Sequence, residues 1–249
     1  MKGDVSLNDL LKTKEYKESN AVLPVILGVN DNGIAEINDL RELFSILIAG
    51  KIDSDKYAFI NSILKSLTHK FSVEQCKIAI FSSKKTDFGQ IENNNYLLLK
   101  GNSDNCINNF NSILEIVKER QRILSENKVK NAIEYRKKTS NGDMPFIIVV
   151  IDDLSDFINS TQKETENFIK TICEKSNTVD VYIISATNKI DILNETLKAN
   201  FLTRVAFKLL NIKESESILE ESGAELLLSD KAFLYSWALH MPVKIHIVG

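Results

Sequence analysis

The chain is poor in the residues that build metal centres and disulfide frameworks. Its 249 residues include three cysteines and three histidines. Cys76, Cys106 and Cys173 are far apart and odd in number, show no metal-ligand spacing, and suggest a reducing compartment. His69, His240 and His246 form no ligand pair on a helix. An excess of basic charge is also missing: 31 Lys and Arg stand against 34 Asp and Glu, a formal net charge of −3. No global field therefore attracts nucleic acid, and any such contact needs a local stripe or a ring of subunits. No apolar run reaches the length of a membrane span, and the first residues show no signal-peptide pattern. Internal repeats and low-complexity linkers are lacking as well. What remains is ordinary globular composition, 43% hydrophobic and 26% charged, enough for a sizeable core.

Apolar runs alternate with helical patterns along the chain. Residues 23–27, 34–37, 44–49, 77–81, 146–151, 179–185, 204–208, 232–237 and 243–248 read as strands, with 96–99 as a short further one. Asn30-Asp31-Asn32-Gly33 is a turn. Helical spacing marks 6–19, 57–69, one long pattern over 105–138, then 163–176 and 214–220. This alternation predicts an α/β fold, a mainly parallel sheet covered by helices on both faces. The expected organisation is an N-terminal helical arm over 1–22 and one domain over 23–249.

The apolar run 44–49 leads into Gly50-Lys51-Ile52-Asp53-Ser54-Asp55-Lys56-Tyr57. A phosphate-binding loop has the form G-x-x-x-x-G-K-[ST], between a buried strand and a helix. Gly50 and Lys56 keep that spacing, but Asp55 replaces the second glycine and Tyr57 the small hydroxyl. Such a loop cradles phosphate with inward backbone N–H groups at a helix N-terminus. A carboxylate at about 4 Å from a phosphate charge costs roughly 4 kcal/mol at an effective dielectric near 20, on the order of a thousandfold in affinity. Tyr57 removes the hydroxyl that would hold Mg²⁺. Lys56 either meets a phosphate or pairs with Asp53 or Asp55.

Phe146-Ile147-Ile148-Val149-Val150-Ile151 ends in Asp152-Asp153. A carboxylate at the tip of a buried strand can hold the Mg²⁺ shell, and a second acid beside it can orient an attacking water. The same acids can simply cap the following helix. Asn188 closes the next apolar run, where it either senses a terminal phosphate or forms a turn. Lys84 and Lys85 follow another strand and face either DNA or phosphate, or solvent. Arg120, Arg122 and Lys128 read as a solvated face of a mixed-charge helix.

Taken in series, these segments resemble the motor domain of the FtsK/SpoIIIE family of DNA translocases, over roughly Leu7 to Val248. Leu23-Pro24-Val25-Ile26-Leu27-Gly28 looks like L-P-x-x-L-G, and Leu47-Ile48-Ala49-Gly50 leads into the phosphate-loop position. The segment 150–156 is similar to V-x-D-E-x-x-D, Ser185-Ala186-Thr187-Asn188 to A-T-Q, and 198–207 to K-A-N-I-P-T-R-I-A-F. Ser217-Ile218-Leu219 and 223–227 look like S/T-I-L and G-A-E-K-L-L. The departures fall on the family's catalytic or nucleotide-contacting positions. They are Asp55, Tyr57, Asp153 for the family's glutamate, Asn188 for its glutamine, Phe81-Ser82-Ser83-Lys84 for I-D-P-K, Glu216 for an arginine, and Ser229-Asp230-Lys231-Ala232 for G-x-G-D.

The resemblance implies a RecA-like P-loop NTPase core, with ATP and Mg²⁺ as cofactors, double-stranded DNA as partner and a hexameric ring acting in chromosome partition. It assigns nucleotide binding to Gly50, Ser54, Asp55, Lys56 and Tyr57, metal binding to Asp152 and catalysis to Asp153 and Asn188; Arg204 is a further candidate, for reaching a neighbouring subunit's nucleotide. The clustered departures lead to the expectation of weak or lost ATP binding and hydrolysis. The chain would then be a structural or regulatory part of a translocation assembly, paired with itself or with an active FtsK-like subunit. A divergent but active DNA translocase and an ATPase-like coupling domain of a protein-secretion system are the alternatives. The expected location is the bacterial cytoplasm, free or as the cytoplasmic part of a membrane-anchored protein.

Overall fold

Uninterrupted apolar runs become the central strands, because only a strand covered on both faces can bury every side chain. The computed structural model describes residues 5–52, 54–82, 88, 91, 95–139, 144–228, 230–236 and 241–248. Asp53, Lys84, Lys85, Ser229 and Trp237 lie outside them. Ten strands form one sheet: β1 Pro24–Val29, β2 Ala35–Asp39, β3 Ser45–Ala49, β4 Cys76–Phe81, β5 Leu97–Gly101, β6 Phe146–Ile151, β7 Val181–Thr187, β8 Thr203–Ala206, β9 Lys231–Ser236 and β10 Val243–His246. Their order is β2-β1-β10-β9-β8-β3-β7-β6-β4-β5. From β8 to β5 the neighbours are parallel, and from β8 to β2 antiparallel. The mainly parallel α/β architecture expected from the alternation is therefore present.

Alternate residues of the central strands feed two cores. Leu47, Phe81, Val149, Ile151 and Ile183 face the helices α5 Cys106–Glu126, α7 Leu154–Val179 and α9 Ile212–Leu219. Phe110 of α5 stacks on Phe168 of α7 at 4.1 Å between ring centres. Ile46, Ile48, Ile80, Val150 and Ile184 face the helix α4 Lys56–Lys70, through Phe59, Ile60, Ile63 and Leu67.

The N-terminal arm is two single-turn helices, α1 Leu7–Leu10 and α2 Lys14–Lys17, rather than one helix. Ser6 and Thr13 cap them. Leu7, Leu10, Leu11 and Tyr16 pack on Ile26 and Val248. Two buried serines of α4 tie it to β1: Ile26 N–H donates to Ser66 Oγ at 3.1 Å, and Ser62 Oγ donates to the Ile26 carbonyl at 3.0 Å. Tyr16 Oη donates to the Ser66 carbonyl at 2.6 Å, joining the arm to the same helix.

The long helical pattern after Asn105 divides into α5 and α6, Ala132–Thr139. Lys128 takes a left-handed conformation, φ 54°, and ends α5 as a C′ residue does. Arg120, read as part of a solvated face, is buried instead. Its guanidinium donates to the carbonyls of Val179, Asp180 and Pro145. Asp180, fully buried, accepts from Arg136 and lies 3.7 Å from Arg41, while Tyr182 Oη donates to it at 2.8 Å. This cluster locks the N-terminal ends of β6 and β7. The remaining short helices are α3 Leu40–Leu43 and α8 Glu195–Lys198.

Candidate functional site

The candidate site lies at the C-terminal ends of three adjacent parallel strands, β3, β7 and β6, where ligands bind in open α/β sheets. Gly50 leaves β3 with its N–H donating to the Thr187 carbonyl of β7 at 3.2 Å. Lys51 N–H donates to the Lys208 carbonyl beyond β8 at 3.2 Å. The turn is tight enough to need glycine at its start. A Cβ on Gly50 would meet Phe207 Cβ and Ser54 Oγ at 2.7 Å each.

Lys56 opens α4 and is 3% exposed. Its ammonium donates to the Gly50 carbonyl at 2.8 Å, to Ser54 Oγ at 3.0 Å and to the Lys51 carbonyl. Ser54 Oγ in turn donates to the Lys51 carbonyl at 2.7 Å. An ammonium has three donors, and the loop's own acceptors meet that number. Asp55 holds the N-cap position of α4 but makes no side-chain cap hydrogen bond, and it is exposed. Tyr57 is half-buried and packs on the core between α4 and the sheet.

Across the site, Asp152 and Asp153 are both buried at the end of β6. Ser82, just past β4, donates its hydroxyl to Asp152 Oδ2. Asp153 caps α7: its Oδ1 accepts from Ser155 N–H at 3.2 Å and from Ser155 Oγ at 2.7 Å. Asn188 sits half-buried directly after β7, between the Lys56 loop and the acid pair in strand order. The structure therefore brings Gly50, Ser54, Asp55, Lys56, Tyr57, Asp152, Asp153 and Asn188 to one edge. Ser82 was recognised in the sequence only as a departure from a motif. Its position at a strand end beside the acid-tipped strand was the available signal.

Arg204 does not join that group. Its guanidinium folds against the C-terminus of α9, donating to the Ile218 carbonyl at 3.1 Å and lying 3.4 Å from Glu220 Oε1. Lys198 acts on the same helix end, donating to Ser217 Oγ at 2.5 Å and pairing with Glu195 at 2.6 Å. Cations near a helix C-terminus are favoured by its dipole.

This arrangement defines a P-loop ATPase fold. The FtsK/SpoIIIE family model matches residues 6–226, and the chain belongs to that family. DNA translocase FtsK of Campylobacter jejuni subsp. jejuni serotype O:23/36 (strain 81-176) is 28% identical over 231 residues, covering 90% of this chain and 24% of that protein. DNA translocase FtsK of Haemophilus influenzae (strain ATCC 51907 / DSM 11121 / KW20 / Rd) is 26% identical over 262 residues, covering 93% of this chain and 50% of that protein. The chain thus spans a quarter to a half of the length of these relatives. Among solved structures, the pCW3 conjugation coupling protein TcpA, in a monomer form with ATPgS, superposes with a TM-score of 0.81 at 22% identity, covering 95% of this chain and 68% of that one. The cytoplasmic domain of the Thermomonospora curvata type VII secretion ATPase EccC gives 0.83 at 18% identity, covering 98% of this chain and 32% of that one. Among the described residues, no helix is long and apolar enough to cross a membrane.

Proposed function

We propose that this chain is a FtsK/SpoIIIE-type domain with weak or lost ATP binding and hydrolysis, serving as a structural or regulatory part of a DNA-translocation assembly. The observation that carries this reading is the self-contained loop. The Lys56 ammonium is buried among the Gly50 and Lys51 carbonyls and Ser54 Oγ, with Asp55 where a second glycine would stand. A triphosphate would have to draw Lys56 out of these bonds and sit against the Asp55 carboxylate. Tyr57 offers no small hydroxyl to a Mg²⁺ ion, and its ring is committed to the core. Asp153 caps α7 through its Oδ1. Asp152 has the chemistry of a Mg²⁺ ligand, but with Asp55 and Tyr57 in place of the glycine and the small hydroxyl the residues present fit a bound Mg-ATP poorly, and this reading assigns no hydrolytic step.

Titration calorimetry with Mg-ATP tests the reading, comparing the unaltered chain with an Asp55→Gly/Tyr57→Ser variant. Binding by the variant alone supports it. Micromolar binding by the unaltered chain, with DNA-stimulated turnover lost in Lys56→Ala, overturns it. That result would favour the second reading, an active divergent translocase, for which the convergence of Lys56, Asp152 and Asn188 on adjacent strand ends speaks. The likeness to the coupling protein TcpA and to EccC motivates a third, a coupling role in conjugation or secretion.

A further inference from the structure

Three arginines meet at the N-terminal ends of β3, β7 and β6, the strands whose opposite ends carry the loop and the acid pair. Strands of five to seven residues hold the two ends about 20 Å apart. Arg41 lies on α3, directly before β3, Arg120 on α5 and Arg136 on α6. They converge on Asp180, in the turn from α7 to β7. It is fully buried and left-handed, φ 53°, a conformation that aspartate tolerates. Asn177 Nδ2 donates to the Arg41 carbonyl at 3.1 Å and fixes α3 against the end of α7.

Two of the three guanidiniums are used by the fold. Arg120 is 5% exposed and donates to the Val179, Asp180 and Pro145 carbonyls. Arg136 donates to the Met144 carbonyl and to Asp180 Oδ2, and lies over the Phe146 ring at 4.4 Å. Tyr182 Oη donates to the other oxygen, Asp180 Oδ1, at 2.8 Å. Arg41 is the exception. Its Nε donates to Tyr182 Oη at 3.2 Å and stands 3.7 Å from Asp180 Oδ1, outside hydrogen-bond reach. Its two terminal amino groups make no hydrogen bond among the described residues. The Arg41 and Arg136 side chains are each 21% exposed, so solvent reaches both of them but not the carboxylate that both approach.

Three guanidiniums therefore face one carboxylate. The C-terminus of α7 adds about half a negative charge, which leaves roughly one and a half positive charges uncompensated. Partly buried charge without a partner is costly, and a guanidinium fork matches the oxygens of a phosphate or carboxylate. A phosphate monoester carries about −1.5 to −2 at neutral pH, close to the excess, and free phosphate is similar. A carboxylate or a phosphodiester, with a single charge, leaves part of the excess unmet.

We propose that Arg41 and Arg136 form a second anion site, which takes the dianionic phosphoryl group of free phosphate or of a small phosphate monoester. The terminal N–H groups of Arg41 donate to the phosphoryl oxygens, and Arg136 and Arg120 supply the surrounding charge. The site is remote from the loop, so it stands whether or not the loop binds nucleotide.

Thermal unfolding of the purified chain in inorganic phosphate and in glycerol phosphate, against chloride at matched ionic strength, tests it. Both phosphates are expected to raise the midpoint as their concentration rises, whereas dimethyl phosphate, a diester, is not. A larger shift with the monoester than with phosphate would identify an esterified ligand, and equal shifts the free anion. Arg41→Gln should weaken the apparent affinity by about tenfold or more, and Arg41→Lys, with the charge but without the fork, by an intermediate amount. Unchanged circular dichroism is the folding control. In the unaltered chain, amide NMR shifts on phosphate addition should fall on residues 40–42, 136 and 180–182, and not on 50–57. A midpoint unmoved by phosphate, an equal response to the diester, a full response in Arg41→Gln, or shifts confined to 50–57 overturns the proposal.

Discussion

The Ser82 hydroxyl at the end of β4 donates to the Asp152 carboxylate at the end of β6. Both residues are buried, so Asp152 depends on protein groups rather than water for this interaction. Removing the donor leaves a buried carboxylate short of a hydrogen bond, which costs about 1–3 kcal/mol. Ser82→Ala is therefore expected to lower stability by about that amount, measured by denaturant unfolding. An unchanged midpoint would show that Asp152 is held by its other contacts alone.

Lys56 supports its loop even without a ligand. In Lys56→Met the stem still fills its place beneath the loop, but the ammonium no longer reaches the Gly50 and Lys51 carbonyls or Ser54 Oγ. Loss of hydrogen bonds from a charged donor predicts destabilisation of about 1.5–3 kcal/mol in nucleotide-free protein. Faster amide exchange over residues 54–58 is expected with it. A variant as stable as the parent, with unchanged exchange, would mean that the lysine is not structural and would weaken the proposed self-contained loop.

The parallel strands were legible in the sequence because a strand buried on both faces writes its position as an unbroken apolar run, as Phe146–Ile151 does. The loop, the acid pair and Asn188 were legible for a related reason: each is placed by the end of such a run. Interior polar contacts were not. Arg120 sits among charges that look solvated, and only the fold brings it to the carbonyls of Val179 and Pro145, which are distant in sequence. The break at Lys128 was also hidden, because helical spacing continues through it and no glycine marks the left-handed residue. Arg204 is the inter-subunit candidate of the sequence. Its hydrogen bond to the Ile218 carbonyl depends on where α9 ends, which local pattern does not specify.

Alkaline pH is expected to destabilise the fold. Burial pushes the Cys76 and Cys173 thiols up from the ordinary value near 9 to about 12, and raises Tyr16 and Tyr182 above their ordinary value of 10. Each group binds its proton more tightly folded than unfolded. Their stabilisation is complete below the unfolded values and is lost as pH rises from about 9 towards 12. Unfolding free energies measured between pH 8 and 11 should fall with increasing slope. Cys76→Ala should flatten the first part of that fall, and an identical slope in the variant would rule the thiol out as a contributor.

Three buried serines separate a satisfied hydroxyl from an unsatisfied one. Ser66 Oγ accepts from Ile26 N–H and donates to the Ser62 carbonyl at 2.7 Å, and Ser62 Oγ reaches the Ile26 carbonyl. Over this stretch β1 has β2 on one side, while its pairing with β10 is confined to Val29 and His246. The two serines therefore take the place of a neighbouring strand. Ser66→Ala leaves the Ile26 N–H buried without its acceptor, a cost of about 1–3 kcal/mol. Ser185, in β7, is the contrary case. Its hydroxyl is fully buried between Leu47 and Ile151 in register and has no hydrogen-bond partner among the described residues. It has already lost its contact with water and gains nothing in return, so Ser185→Ala should be neutral or stabilising by up to about 1 kcal/mol. The two substitutions remove the same atom from equally buried sites, and denaturant unfolding should show a loss of stability for Ser66→Ala and none for Ser185→Ala. Equal destabilisation by both would mean that lost packing of the oxygen, rather than hydrogen bonding, sets the cost.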